Sequence, residues 1–246
     1  MEACVGSTDV QAGVVSGLWR YPVKSMAGEA LSSVGISWAG LEGDRRWSFV
    51  RADSLDSGFP WHTIREFPQM SAYVALLSEP ARPDGSRVLV RTPGGDRYDV
   101  SDHRLAAELG TGLRVMRLDR GAFDAMPVSV ISDSTVSALC RLAHVPVNGL
   151  RFRPNIVVTL DSGAPFEEDD WVGSDVRIGA AVVRIDRRDS RCVIVNVDPA
   201  SGLPGSHLLK VIGSARRARA GVYATTVLPG LVRIGDPVAV HRQSPG

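Results

Sequence analysis

The sequence predicts a mainly β protein with a few helices, of the α+β class. Short apolar runs rich in Val and Ile recur from Val14 onward, each bounded by Gly, Pro, Asp or Ser, which is the pattern of strands and turns. Only three segments carry helical spacing, and they do not alternate with the strands. That favours a β-barrel or curved sheet over repeated βαβ units. The 246 residues suffice for one large domain or two small ones sharing a core. A soft boundary at Asp119–Asp124 divides them into 14–120 and 121–243, both β-rich.

Taken in order, residues 1–13 are small and polar and read as disordered. Strands are expected at Val14–Tyr21, Arg46–Arg51, Arg87–Thr92, Asn155–Leu160, Val182–Ile185, Cys192–Val197, Gly221–Val227 and Val238–His241. Pro93-Gly94-Gly95-Asp96 reads as a hairpin connection from Val88–Arg91 to Tyr98–Val100. Ser101 is a candidate cap for a helix over Asp102–Leu109. Ser132 or Asp133 is the candidate cap for a helix through Ala143, with Val136, Leu139, Cys140 and Ala143 on one face. Ser206–Ile212 is the third helical segment.

Composition excludes several classes. A formal net charge of +1 points to neither nucleic acid nor an anionic membrane. No apolar run approaches the roughly 18–20 residues of a membrane helix. The first ten residues lack the basic-then-apolar order of a secretory signal. Cys4, Cys140 and Cys192 are odd in number and unrelated in spacing, which argues for a reducing, cytoplasmic compartment and against a disulfide framework. They also fall short of the four thiolates of a plant-type iron–sulfur cluster. The five histidines never fall at zinc-ligand spacing, and no phosphate-binding loop, hydrolase elbow or dinucleotide fingerprint occurs.

Chemistry therefore centres on Cys192. Arg184, Arg187, Arg188 and Arg191 lie just upstream, and guanidinium groups beside a thiol favour the thiolate, the form that attacks electrophiles or binds a soft metal. The plain alternative is a small buried hydrophobe, and Cys140, on the apolar face of its helix, is read that way. Lys24 and Lys210 are the only lysines among 28 basic residues. Tyr21-Pro-Val-Lys24-Ser25 followed by Gly28 offers an ammonium and a hydroxyl at a turn, a phosphate or carboxylate clamp or an ordinary surface loop. Gly43-Asp-Arg45-Arg46-Trp47, Thr63-Ile-Arg65-Glu-Phe-Pro68 and Arg151-Phe-Arg153-Pro-Asn155 add arginines beside apolar strands, each needing an anionic partner or solvent. Of Arg45 and Arg46, alternation along a strand sends one outward if the other points inward.

These strings, in this order, resemble a known family. Leu18-Trp-Arg-Tyr-Pro-Val-Lys-Ser25 resembles the opening of the N-terminal β-barrel of MOSC proteins, named for the C-terminal domain of molybdenum-cofactor sulfurase. The three arginine-bearing strings, with Glu168, Asp169 and Trp171, follow the same pattern. Arg191-Cys-Val-Ile-Val-Asn-Val-Asp-Pro199, Ser201-Gly202 and Gly230-Leu-Val-Arg-Ile-Gly-Asp-Pro-Val238 look like the MOSC domain itself. The resemblance covers nearly all of 14–240 and implies an N-terminal β-barrel-like domain packed on a MOSC β-barrel.

Within that family the chain is similar to the amidoxime-reducing components and their bacterial relatives. The resemblance implies a molybdopterin-type molybdenum cofactor and reduction of N-hydroxylated or N-oxide compounds. By position Cys192 would be the metal's thiolate ligand. Lys24, Ser25, Arg45, Arg65 and Arg153 would hold the pterin and its phosphate, and Asn155 and Asp198 would shape the reacting pocket. A soft thiolate suits the metal, and converging cations suit an anionic phosphate. Three departures stand out: Val195-Asn196 where the family commonly has Thr-Thr, Ala125-Met126 where hydroxyls are expected before Pro127, and an end at Gly246 where bacterial relatives often carry a ferredoxin domain. Electrons for a reductase would then come from a separate ferredoxin- or flavin-type protein, with a small molecule as substrate. Two other readings stay open, a sulfur carrier or sulfurtransferase using a Cys192 persulfide and a non-catalytic cofactor-delivery module.

Overall fold

The computed structural model describes residues 8–51 and 58–242. The first half contains β1 (Thr8–Arg20), β2 (Glu29–Ala30), β3 (Ser33–Ser37), β4 (Gly40–Leu41), β5 (Trp47–Arg51), β6 (Trp61–His62), β7 (Val74–Leu77), β8 (Val88–Arg91), β9 (Arg97–Asp99), α1 (His103–Leu109) and β10 (Leu113–Arg117). The second contains β11 (Val128–Ser132), α2 (Asp133–Leu142), β12 (Ile156–Leu160), β13 (Asp175–Ile178), β14 (Ala181–Ser190), α3 (Leu208–Arg216), β15 (Arg219–Leu228), β16 (Gly230–Arg233) and β17 (Pro237–Arg242).

Seven strands close a barrel in the order β12-β11-β15-β14-β13-β17-β1, and β1 returns to pair with β12. Closure leaves no edge of this barrel unpaired, and its core also takes in Val34, Ile36, Leu41 and Val232 from the small sheet β16-β3-β4. Val15, Leu18, Val130, Ile156, Val158, Val176, Val183, Val222 and Val240 fill this interior with Trp171. The first strand is thus long and begins earlier than the sequence suggests: Thr8 pairs with Arg242 and Gln11 with Ala239. Of residues 1–13, expected to be disordered, 1–7 lie outside the described residues and 8–13 are strand; Asp9, Val10 and Gln11 are exposed while Ala12 is buried, and the pairing partner lies at the other end of the chain. Of the three cysteines, Cys140 is buried in the α2 core and Cys4 lies outside the described residues.

Strands β11 and β12 run parallel, joined through α2, a single crossover inside an otherwise antiparallel barrel. Ser132 Oγ accepts from the Thr135 amide and caps α2, while Asp133 is the first helical residue. In α1 the cap is Asp102, not Ser101. The third helix starts at Leu208, two residues later than expected, and runs to Arg216.

The first half builds a second core. Small sheets β10-β5-β6 and β7-β8-β9 enclose Val23, Met26, Phe49, Met70, Val90, Leu105 and Val197. The 93–96 hairpin forms as read, with Arg91 opposite Arg97 and the Thr92 amide donating to the Asp96 carbonyl at 2.9 Å. Val197, from the second half, sits in this first-half core and ties the two together. No helix among the described residues is long and apolar enough to cross a membrane.

Candidate functional site

Between the two cores lies a cavity of about 80 Å³ whose walls come from loops of both halves. Six cations line it (Lys24, Arg45, Arg65, Arg151, Arg153 and Arg191), against two carboxylates, Asp124 and Asp189, with Cys192 among them. The surplus of positive charge in a part-desolvated space is the signature of an anion site.

Cys192 does not open a strand. It caps the short 3-10 turn Val193–Asn196, with Val193 half exposed and Val195 buried. A run of apolar residues reads as a strand by composition, but Asp198 and the Val197–Pro204 bridge fold this one back. The turn exposes the Cys192 sulfur to the cavity, where Arg65 Nη2 donates to Sγ at 3.4 Å. Of the four upstream arginines only Arg191 lines the cavity. Arg184 pairs with Asp175 and Arg188 with Asp169, on the outer side of β14.

Lys24 is buried at 4% exposure, follows Pro22 at the end of β1, and donates to the Ala122 carbonyl at 2.6 Å and to Asp124. Burial pushes its ammonium down to about 8, with the Asp124 pair partly offsetting the loss of water. Asp124 reaches Arg65 as well, at 3.4 Å, so one carboxylate spans both cations at the rim. Burial opposes its ionisation, but Lys24, Arg65 and Arg45 hold it below the ordinary carboxylate value.

Ser25, Arg45 and Arg153 all have left-handed backbone, with φ of 71°, 50° and 49°. Non-glycine residues there store strain and cluster at ligand-holding positions. Arg45 pairs with the buried Asp44 and donates to Asn155 Oδ1 and the Arg153 carbonyl, each at 3.3 Å. The Arg45 and Arg153 guanidiniums both lie over the Tyr21 ring, 4.7 and 4.3 Å from its centroid. Arg46 is buried too, held by Asp84 at 2.7 Å on the far side of the loop, so neither arginine of that pair points to solvent.

Arg153 has no anionic partner within ion-pair distance among the described residues, and its buried Nη2 makes no hydrogen bond. Desolvation brings its guanidinium down to about 10, and Arg45 adds repulsion. An unpaired buried guanidinium costs stability unless a ligand completes it.

Asn155 lines the cavity, whereas Asp198 acts from behind its wall. The Asn155 amide is spent on Ser129, Arg45 and the Trp19 carbonyl. Asp198 is not among the lining residues: its carboxylate accepts from Ala200, Ser201 and Arg151, and so orients Arg151 toward the cavity. Sequence reasoning missed Asp124, Asp189 and Tyr223 as wall residues, named Arg191 only as one of four guanidiniums upstream of the thiol, and named Arg151 only as a neighbour. The left-handed backbone of Arg45 and Arg153 and the strand pairing that brings Asp189 to the cavity have no marker in the sequence.

The donor set fits an anionic ligand carrying a phosphate: a cation surplus, an orphaned Arg153 Nη2 and one accessible thiol. Among the described residues no cluster of three His, Cys, Asp or Glu could hold a metal, so a metal here would bring its own ligands and take Cys192 from the protein. The volume falls below the few hundred Å³ of ordinary ligand pockets.

Comparison with known proteins places this geometry in context. The model described as the MOSC domain matches residues 117–239, and that of the MOSC N-terminal beta barrel domain matches 12–129. Mitochondrial amidoxime-reducing component 1 of Xenopus laevis is 33% identical over 129 residues, covering 47% of this chain and 36% of that protein. Mitochondrial amidoxime reducing component 2 of Rattus norvegicus is 31% identical over 289 residues, covering 93% of this chain and 83% of that protein. Among solved structures, the YuaD protein of Bacillus subtilis superposes with a TM-score of 0.52 at 14% identity, covering 97% of this chain and all of that one.

Proposed function

The chain belongs to the MOSC family, and from that premise we propose that it is a molybdenum-cofactor-binding oxidoreductase that removes oxygen from N-hydroxylated or N-oxide compounds. The observation that carries the reading is the opening of the Cys192 sulfur onto a cavity with six cations, one of them the orphaned Arg153. Relatives named amidoxime-reducing components support the same class.

When bound, the cofactor supplies the oxygen acceptor and the electron relay. Cys192 would be its thiolate ligand. Lys24, Ser25, Arg45, Arg65 and Arg153 would hold the anionic pterin and its phosphate. Asn155 locks Arg45, and Asp198 locks Arg151, so that the cations arrive preorganised. Phe152, Ile194 and Val195 supply an apolar wall beside the sulfur and exclude water there. Electrons arrive one at a time from a separate electron-transfer protein of the ferredoxin or flavin type.

Elemental analysis of the purified protein with release of bound pterin, followed by an amidoxime assay with an artificial reductant, tests the reading. Molybdenum at one per chain with turnover supports it, and Cys192→Ala is expected to lose the metal while keeping its fold. Unchanged molybdenum in that variant would overturn the ligand assignment. The sulfur-carrier reading draws on Val195 and Met126, which line the wall where the family commonly offers hydroxyls. It would be favoured by a labile extra sulfur on Cys192 in the mass spectrum of a metal-free preparation.

A further inference from the structure

We propose that Asp189 is the proton donor of this cavity, with Tyr223 as its positioning residue; the inference rests on the reduction proposed above. Strand β14 carries bulges between Ile185 and Arg187 and between Arg188 and Ser190. Ala181, Val183, Ile185 and Asp189 are the buried odd positions of the strand, Arg187 alone among them being displaced to the exposed side between the bulges, so Asp189 points inward at 1% exposure. Asp189 thus reaches the cavity wall that holds Cys192, three residues on. Tyr223, on the neighbouring strand β15, lines the same wall and hydrogen-bonds the Asp189 carboxyl.

The charged groups facing Asp189 come from four segments. Arg191 Nη2 lies 2.7 Å from Oδ2 but without hydrogen-bond alignment. Burial pushes the carboxyl up to about 6, Arg191, Tyr223 and Arg45 pull it down, and Asp124 pushes it up. The other acids of the wall are committed: Asp124 is held as an anion by two cations, and Lys24 spends its protons on Asp124 and the Ala122 carbonyl. Asp189 is the wall carboxyl that carries a proton close to neutral pH.

The chemistry consumes what Asp189 can give. Reducing an amidoxime breaks the N–O bond, forms one N–H bond and releases water. That takes two electrons from the partner protein and two protons. Asp189 supplies one proton and is left as a carboxylate, which accepts from the Tyr223 hydroxyl and faces Arg191; the second proton and the recharging of Asp189 come from water.

Two measurements decide it. Carbon-13 carboxyl NMR of the ligand-free protein should show one titration near 6 that vanishes in Asp189→Asn and moves upward in Tyr223→Phe, where the stabilising hydrogen bond is lost. With cofactor loaded, kcat for an amidoxime should fall as pH rises through about 6. Asp189→Asn should be about 100-fold slower with a flat profile, and Asp189→Glu should recover a titrating limb. An Asp189 that titrates below pH 4, or an Asn variant with wild-type rate and profile, overturns the inference. A loaded wild-type enzyme inert toward every N–O compound refutes the reduction reading itself, and the ligand-free titration reads Asp189 independently of it.

Discussion

Lys24 shows how much one side chain depends on its surroundings. Its stem is buried, and its ammonium is satisfied by the Ala122 carbonyl and Asp124. With its folded value at about 8 and its ordinary value at 10.5, the folded protein releases that proton earlier than the unfolded chain. The cost of keeping the charge buried therefore stands at neutral pH and is relieved as pH rises from 8 to about 10.5. Denaturant melts of wild type and Lys24→Met should show the wild type gaining stability relative to the variant across that window and holding a constant difference below it. The same variant should lose ligand retention by about 10-fold, the worth of one charge-assisted hydrogen bond. Its turnover per bound molybdenum should stay at the wild-type value, which metal content measured beside rate will check. At this scale sequence reading reaches residue type but not company. Arg65 and Arg153 look alike on the page, yet one donates to a sulfur and a carboxylate while the other has an idle nitrogen.

Helix caps explain why elements next to the cavity sit where they do. Ser132 Oγ receives the Thr135 amide and donates to the buried carboxylate of Glu168 at 2.9 Å. Ser132→Ala removes the cap and leaves Glu168 short of a partner, so urea unfolding should show a loss of about 1–2 kcal/mol. Asn196 replaces an expected hydroxyl, and its Oδ1 accepts from the Leu209 amide at 2.8 Å, capping α3 from the Cys192 turn. Asn196→Ala should destabilise the protein by about 1 kcal/mol and loosen the 192–198 turn, read as faster amide exchange at Val195 and Val197. The departures from the family pattern are thus absorbed locally: Val195 packs in the α2–α3 core and Asn196 holds a helix. Strands β8, β12, β15 and β17 were legible because their apolar runs pack against a core on one face. The 192–197 run was misread because an apolar 3-10 turn and a short strand share one composition.

The whole molecule is organised by β1, which pairs with β17 along one half and β12 along the other. The barrel of the second half is closed by the first strand of the chain. A fragment covering 121–242 lacks that strand and leaves β12 and β17 as apolar open edges, so it should be insoluble or bind a hydrophobic dye, whereas 8–242 should not. Composition, turn residues and apolar runs determined by themselves the β-rich class, the hairpin at 93–96, a helix opening at Ser132 or Asp133 and the residue types that could meet an anion. Tertiary structure alone decided that β1 belongs to the far barrel, that Asp198 serves Arg151 from behind the wall, and that Asp189 faces the cavity. The reason is physical: strand identity follows from local burial pattern, but pairing across some 230 residues and the direction of a side chain at a bulge are set by which surfaces meet.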